Sequence, residues 1–149
     1  MANSKKFDPT KIHFSDFQLL KGNIDSPFGF DKEKIKNHNF SVGFDMSFNT
    51  KDKLVKADFV VEISTISDET QKEEAKGMFH FVFIFFVENL EELVELKTDL
   101  ELKVEGVLAN SLSAITYSTA RGILITRFQG TALDNFILPV VNPGDLLKK

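Results

Sequence analysis

Hydrophobic and polar positions alternate most cleanly over 39–49, where Phe40, Val42, Phe44, Met46 and Phe48 are separated by Ser41, Gly43, Asp45 and Ser47. Period two is the mark of a strand with one buried face. Asn49-Thr50-Lys51-Asp52 has turn chemistry, and 53–66 reads as the hairpin partner. There Ala57, Phe59, Val61, Ile63 and Thr65 oppose Asp58, Val60, Glu62 and Ser64. A polar connection over 67–74 leads into 75–87, whose end, 78–87, reads Met-Phe-His-Phe-Val-Phe-Ile-Phe-Phe-Val without a charge. That run is far short of the ~20 apolar residues that cross a bilayer. Its aromatic and β-branched make-up favours a strand. Phe79, Phe81, Phe83 and Phe85 then share one face, and His80, Val82, Ile84 and Phe86 the other. A strand apolar on both faces needs cover on each.

Ahead of these strands, Ile12 and Phe14 have one parity and Phe17 and Leu19 the other, so a first strand over 12–20 requires a bulge near Ser15-Asp16. Residues 22–31 carry the Gly, Pro, Asn and Asp of a loop, and the charged run 32–38 extends it. The expectation is a long crossover over 22–38 with Phe28 and Phe30 inside it. Residues 1–11 are polar, with Pro9 among them, and are expected to be loose.

Helical spacing begins after 87. Asn89-Leu90-Glu91-Glu92 has the capping-box form, followed by Leu90, Leu93, Val94 and Leu96. Asp99 is a candidate cap for a long helix to about 128, with Leu100, Val104, Val107, Leu108, Leu112 and Ile115 as its apolar stripe. Over 97–105 a strand using Leu96, Leu100, Leu102 and Val104 fits as well. Ala109, Ser113, Ala114, Ser118, Ala120 and Gly122 are small enough to permit close packing. Gly130 supplies a stop, and 136–147 reads as a loop with a short extended piece. The expected fold is α+β: one domain, 1–149, with a four-stranded antiparallel meander sheet and a long C-terminal helix on one face.

Composition narrows the function classes. Net charge is -4 and the arginines are Arg121 and Arg127 alone, which disfavours nucleic acid as a partner. There is no cysteine, hence no disulfide or thiolate chemistry. The N-terminus lacks the apolar core of a signal peptide, so membrane insertion is not expected and the cytoplasm is the expected compartment. His13, His38 and His80 stand on separate segments without metal-ligand spacing, and His80 is expected to be a satisfied core histidine. No nucleophile elbow or phosphate loop is present. The expectation is therefore a non-enzymatic protein without cofactor or metal. Glu88, Glu91, Glu92, Glu95, Asp99, Glu101 and Glu105 read as a solvated acidic face, with docking of a basic partner as the functional alternative. Lys32, Lys34, Lys36, Lys51, Lys53 and Lys56 suggest a basic strand edge. Sixteen Phe against one Tyr and no Trp is a surplus of apolar area without polar handles.

The order of elements and the C-terminal third resemble the SecB family of export chaperones. Ser118-Thr-Ala-Arg-Gly-Ile-Leu is similar to that family's helix end, and Phe136-Ile-Leu-Pro-Val-Val-Asn-Pro-Gly-Asp-Leu to its Leu-x-Pro-Val-x-Asn segment. Asn110, Tyr117, Arg121, Leu138, Pro139, Val141, Asn142 and Leu146 carry the likeness. The resemblance implies an ATP-independent cytosolic holdase for unfolded or partly folded polypeptide clients, serving protein export. It also implies a homo-oligomer, dimer or tetramer, with its helices between outer sheets. Client grooves would lie near the sheet and the crossover, which makes Phe28, Phe30, Phe40, Phe44 and Phe48 the expected peptide-binding residues. The sequence ends at Lys149, short of the further helix and acidic tail with which the family meets the SecA motor. A divergent member with one dedicated client, or one associated with an antitoxin, is the alternative.

Overall fold

The computed structural model describes residues 6–98 and 101–147. The alternating segments form four strands: β1 (Ile12–Asp25), β2 (Ile35–Asn49), β3 (Leu54–Ser67) and β4 (Lys76–Val87). They build one antiparallel sheet in the order β1-β4-β3-β2. The strands β2, β3 and β4 form the meander, and β1 completes the sheet beside β4. The chain therefore passes from one edge of the sheet to the other between its first two strands.

The expected bulge is present, as a register shift between Phe14 and Asp16, and a second lies between Leu19 and Lys21. The expected crossover is shorter than 22–38. Gly22 through Asp25 continue β1 against Phe79 through Lys76, and Ile35 through His38 already pair with β3. Composition misleads here because Gly22 is a packing residue: a Cβ at that position would meet the Phe79 ring at 3.2 Å. The connection that remains is 26–34, closing on a 3-10 turn at Lys32–Lys34 capped by the Asp31 carboxylate.

A short helix α1 (Leu90–Leu93) follows β4. Its Asn89 does not cap with its side chain; the amide donates to the Lys6 carbonyl and to Glu92 instead. Next come β5 (Val94–Thr98) and β6 (Glu101–Val104), a hairpin in which Leu96 faces Leu102. The strand reading of 97–105 thus prevails, and the long helix begins later than the expected 99. Asp99, its expected cap, lies outside the described residues. The helix is α2 (Gly106–Arg127), and its cap is Glu105, whose carboxylate accepts from the Val107 amide at 3.2 Å. Gly130, at φ 79°, turns the chain away after Phe128. The remaining tail winds back along the helix and ends in a 3-10 turn at Pro143–Leu147.

The core lies between one face of the sheet and α2. Val55, Ala57, Phe59 and Val61 of β3 and Phe79, Phe81, Phe83 and Phe85 of β4 are buried there against Leu108, Leu112, Tyr117, Ala120 and Leu124. Burying each of the four β4 phenylalanines contributes roughly 1.5–3 kcal/mol as an upper estimate. Edge-on ring contacts, Tyr117 to Phe59 at 5.7 Å and Phe128 to Phe79 at 5.7 Å, fix the helix over the two central strands. The tail completes the cover, with Leu133, Phe136 and Leu138 buried. The two faces of β4 therefore differ. The Phe79/81/83/85 side is dry, while the side with His80, Ile84 and Phe86 is half-buried and carries a hydrogen bond between His80 Nε2 and the Asp58 carboxylate at 2.8 Å.

Candidate functional site

The inner face of the sheet is wider than the helix that covers it, and apolar residues emerge at both margins. On β1, Phe14 and Phe17 are exposed while still touching Phe81, Phe83 and Phe85 with their rings. On β2, the alternation found in the sequence points Phe40, Val42, Phe44, Met46 and Phe48 towards the helix side, beside Ile63, Val61, Phe59, Ala57 and Val55 of β3. Phe44, Met46 and Phe48 are half-buried against the core. Phe40 and Val42 are exposed, at 42% and 37%.

The tail forms the opposite wall of this β2 margin. Phe136 stacks obliquely on His38 at 5.2 Å and on Phe40 at 5.5 Å, and reaches Phe128 at 6.5 Å. The tail is held by a hydrogen bond from the Tyr117 hydroxyl to the Pro139 carbonyl, 2.6 Å long. Burial raises the Tyr117 phenol above its ordinary value, opposed by the nearby Arg121 charge. Burial lowers the His38 imidazole, favouring the neutral ring next to Phe136. Leu133 anchors the start of the tail over Gly77, where a Cβ would come within 2.9 Å of its Cδ1.

The crossover is tied down at three points. Ser26 Oγ accepts from the Ala132 amide at 3.1 Å, Lys32 pairs with Asp134 at 2.7 Å, and Gln71 both accepts from and donates to the Asp31 backbone. Phe30 packs on the core, whereas Phe28 stands fully exposed at the tip beside Gly29, whose φ is 75°. Of the five expected peptide-binding residues, Phe40, Phe44 and Phe48 thus share one face of one strand. Phe30 supports the crossover, and Phe28 projects from it.

The motif residues serve the tail. Leu138 is buried, the Pro139 carbonyl accepts a hydrogen bond from the Tyr117 hydroxyl, and the Asn142 side chain accepts from the Gly144 amide at 3.0 Å. Arg121 lines a cavity of about 70 Å³ between α2 and the tail, with Tyr117, Val141 and Leu146. Sequence reasoning missed Phe136, His38 and Val42 as parts of the margin. For Val42 the signal was the same alternation that found Phe40.

A larger cleft of about 550 Å³ opens on the other face of the sheet, lined by Lys21, Asn23, Asp25, Glu62, Lys76 and Met78 among others. Phe40 and Ile63 line it as well, among charged and polar side chains. Among the described residues no group of three or more His, Asp or Glu is placed to hold a metal ion, and no helix is long and apolar enough to cross a membrane.

No family model matches the chain, and no curated protein matches it. Among solved structures, a SecB-like chaperone of Mycobacterium tuberculosis, Rv1957, solved in complex with a ChAD peptide from the Rv1956 HigA1 antitoxin, superposes with a TM-score of 0.61 at 12% identity. The match covers 89% of this chain and 91% of that one. A protein of unknown function from Streptococcus agalactiae matches at a TM-score of 0.44 and 10% identity, over 87% of this chain and 96% of that one. The chain is SecB-like in fold.

Proposed function

We propose that this protein is an ATP-independent chaperone that holds unfolded or partly folded polypeptide in the cytoplasm. The observation that carries the reading is the β2 margin, where Phe40, in ring contact with Phe136, and its strand neighbour Val42 stand exposed. Phe40, Phe44 and Phe48 form the floor of the client site in this reading, with Phe30 shaping and Phe28 gripping from the crossover. Each contact with an apolar client side chain contributes roughly 1.5–3 kcal/mol at full burial, so several partial contacts hold a chain without sequence specificity. No bond is made or broken, so no catalytic residue or cofactor is required. Exposed Phe14 and Phe17 on β1, with Val107, Ile115 and Ile125 on α2, favour a homo-oligomer, dimer or tetramer.

The test is aggregation of a chemically unfolded model client, followed by light scattering at a stoichiometric ratio of protein. Delayed aggregation supports the proposal, and an unchanged time course sinks it. Export is the service this reading assigns first. One dedicated partner is the second reading, favoured by the structural neighbour's occupant, an antitoxin peptide. Tight binding of one protein segment without general protection would select it.

A further inference from the structure

The part of the tail that carries Phe136 is fastened only at its ends. On one side the Ala132 amide donates to Ser26 Oγ at 3.1 Å, and Asp134 pairs with Lys32 at 2.7 Å. On the other the Tyr117 hydroxyl donates to the Pro139 carbonyl. Between these fasteners, among the described residues, no hydrogen bond ties 135–138 to the sheet or to α2. The Phe136 amide bonds only back to the Leu133 carbonyl, within its own turn. Burial of Phe136 and Leu138 seats the span, while Asn135 and Ile137 face water.

The surface beneath Phe136 is not wholly apolar. The His38 ring lies against it at 5.2 Å, beside Phe40 at 5.5 Å. His38 Nε2 is buried without a hydrogen-bond partner. Protonation puts an N–H on both ring nitrogens, and the one on Nε2 then has no acceptor. A buried charge without a partner is strongly disfavoured. The charged groups on the surrounding elements do not relieve it. Thr65, opposite His38 on β3, is uncharged, and Glu74 behind it already accepts from Thr65 and Ser67. On the tail, Asp134 is engaged by Lys32 of the crossover, although its Oδ1 is buried without a partner. Lys36 of β2 and Arg127 of α2, both exposed, have the sign of the protonated ring. Burial lowers the His38 imidazole with no carboxylate opposing it.

We propose that 135–138 is an acid-released strap: protonation of His38 lifts this span off the β2 margin and turns the Phe136 ring towards water. The fasteners at Asp134 and Pro139 keep the lifted span tethered at both ends. Once lifted, His38 titrates near its ordinary 6.5. The seated form therefore dominates above that value. Each unit of pH below it shifts the balance towards the lifted form by up to about tenfold, until the seated ring is itself protonated. The switch stands apart from the client reading; within that reading it enlarges the holding surface in acid.

The chain has no cysteine, so single thiols report on the strap. Leu138→Cys places one on its buried side and Ile137→Cys one on its exposed side. The ratio of their rates with a pyridyl disulfide, 138 over 137, cancels the thiol's own dependence on pH. Below 6.5 that ratio is expected to rise by up to about tenfold per unit, and to stay flat when His38→Phe or His38→Gln is added. A flat ratio with His38 in place overturns the proposal, and so does a rise that both His38 variants keep. A falling ratio overturns it as well, and assigns the proton to a His38–Asp134 pair that tightens the strap. A Val61→Cys thiol, in the core of β3, must stay unreactive; if it gains reactivity in step, the whole fold is opening and the proposal fails. Should Leu138→Cys not fold, binding of a fluorescent apolar dye decides the matter. It must rise below 6.5 in the unmodified protein and not in His38→Gln. No client enters these measurements, so failure of the client reading leaves their outcome untouched.

Discussion

Tyr117 and Pro139 are joined by a hydrogen bond of 2.6 Å from the phenol to the proline carbonyl, which fastens the tail to the middle of α2. The Tyr117 ring is independently seated on Phe59. Tyr117→Phe therefore keeps the packing and removes the fastener. The expected cost is about 1 kcal/mol in chemical denaturation, together with faster proteolysis within 136–142. An unchanged cleavage rate would show that the apolar contacts of Leu138 and Phe136 hold the tail unaided.

Gly77 sets how closely the tail approaches the sheet. With a Cβ 2.9 Å from Leu133 Cδ1, and Leu133 wholly buried, Gly77→Ala forces the Leu133 side chain to move within the core. A loss of about 1–3 kcal/mol is expected from overpacking, read from denaturant midpoints. The companion Gly77→Ala, Leu133→Ala protein should recover part of it.

Acid acts on the tail through His38. Its folded pKa lies below the ordinary 6.5 because burial disfavours the charged ring. The unfolded chain therefore binds the proton first. The stabilising difference is complete above about 6.5 and is lost as pH falls from there to the folded value. Glu74 follows lower down. Its carboxylate accepts from the Ser67 and Thr65 side chains and the Ser67 amide, which holds it below the ordinary 4.5, so its contribution is lost as pH falls through that lowered value. Thermal midpoints should fall in these two stages, and His38→Gln should abolish the first.

Phe28 and Phe40 separate binding from folding. Phe28 is fully exposed and Phe40 nearly half so, whereas Phe59 and Phe81 are wholly buried. Phe28→Ser should leave stability within about 0.5 kcal/mol and weaken protection of an aggregating client. Phe40→Ser should weaken it further at a modest stability cost. If both proteins protect as the parent does, these phenylalanines are not the client floor.

Lys32→Ala tests the crossover. Its ion pair with Asp134 is half exposed, so less than about 1 kcal/mol of stability depends on it. The measurable change should be local: quicker cleavage within 26–34 with little change in global unfolding.

The strands were legible because their chemistry is local. Alternation at 39–49, the phenylalanine run at 78–87 and the parity break at Ser15-Asp16 each have one comfortable solution on a pleated surface. What escaped was decided by distant partners. Gly22 and Asn23 look like loop residues until Phe79 and Met78 arrive beside them. Leu96 and Leu102 fit a helix or a strand equally until they meet across a hairpin. At the candidate site, spacing put Phe40, Phe44 and Phe48 on one strand face, and only the family resemblance implied that clients bind there. Phe136 was found by neither, since its place against His38 depends on how far the chain travels after Gly130.

The strand order also has a consequence for synthesis. Ile12 pairs with Val87 and Asp25 with Lys76, so β1 has no partner until β4 has followed it from the ribosome. β2, β3 and β4 can assemble by short hairpins, but β1 must wait through their entire translation with Phe14 and Phe17 uncovered. Long-range pairing of this kind is slow and leaves a nascent chain open to misassembly. The register shifts at Phe14/Asp16 and Leu19/Lys21 belong to the pairing with β4, so they form only when that strand arrives.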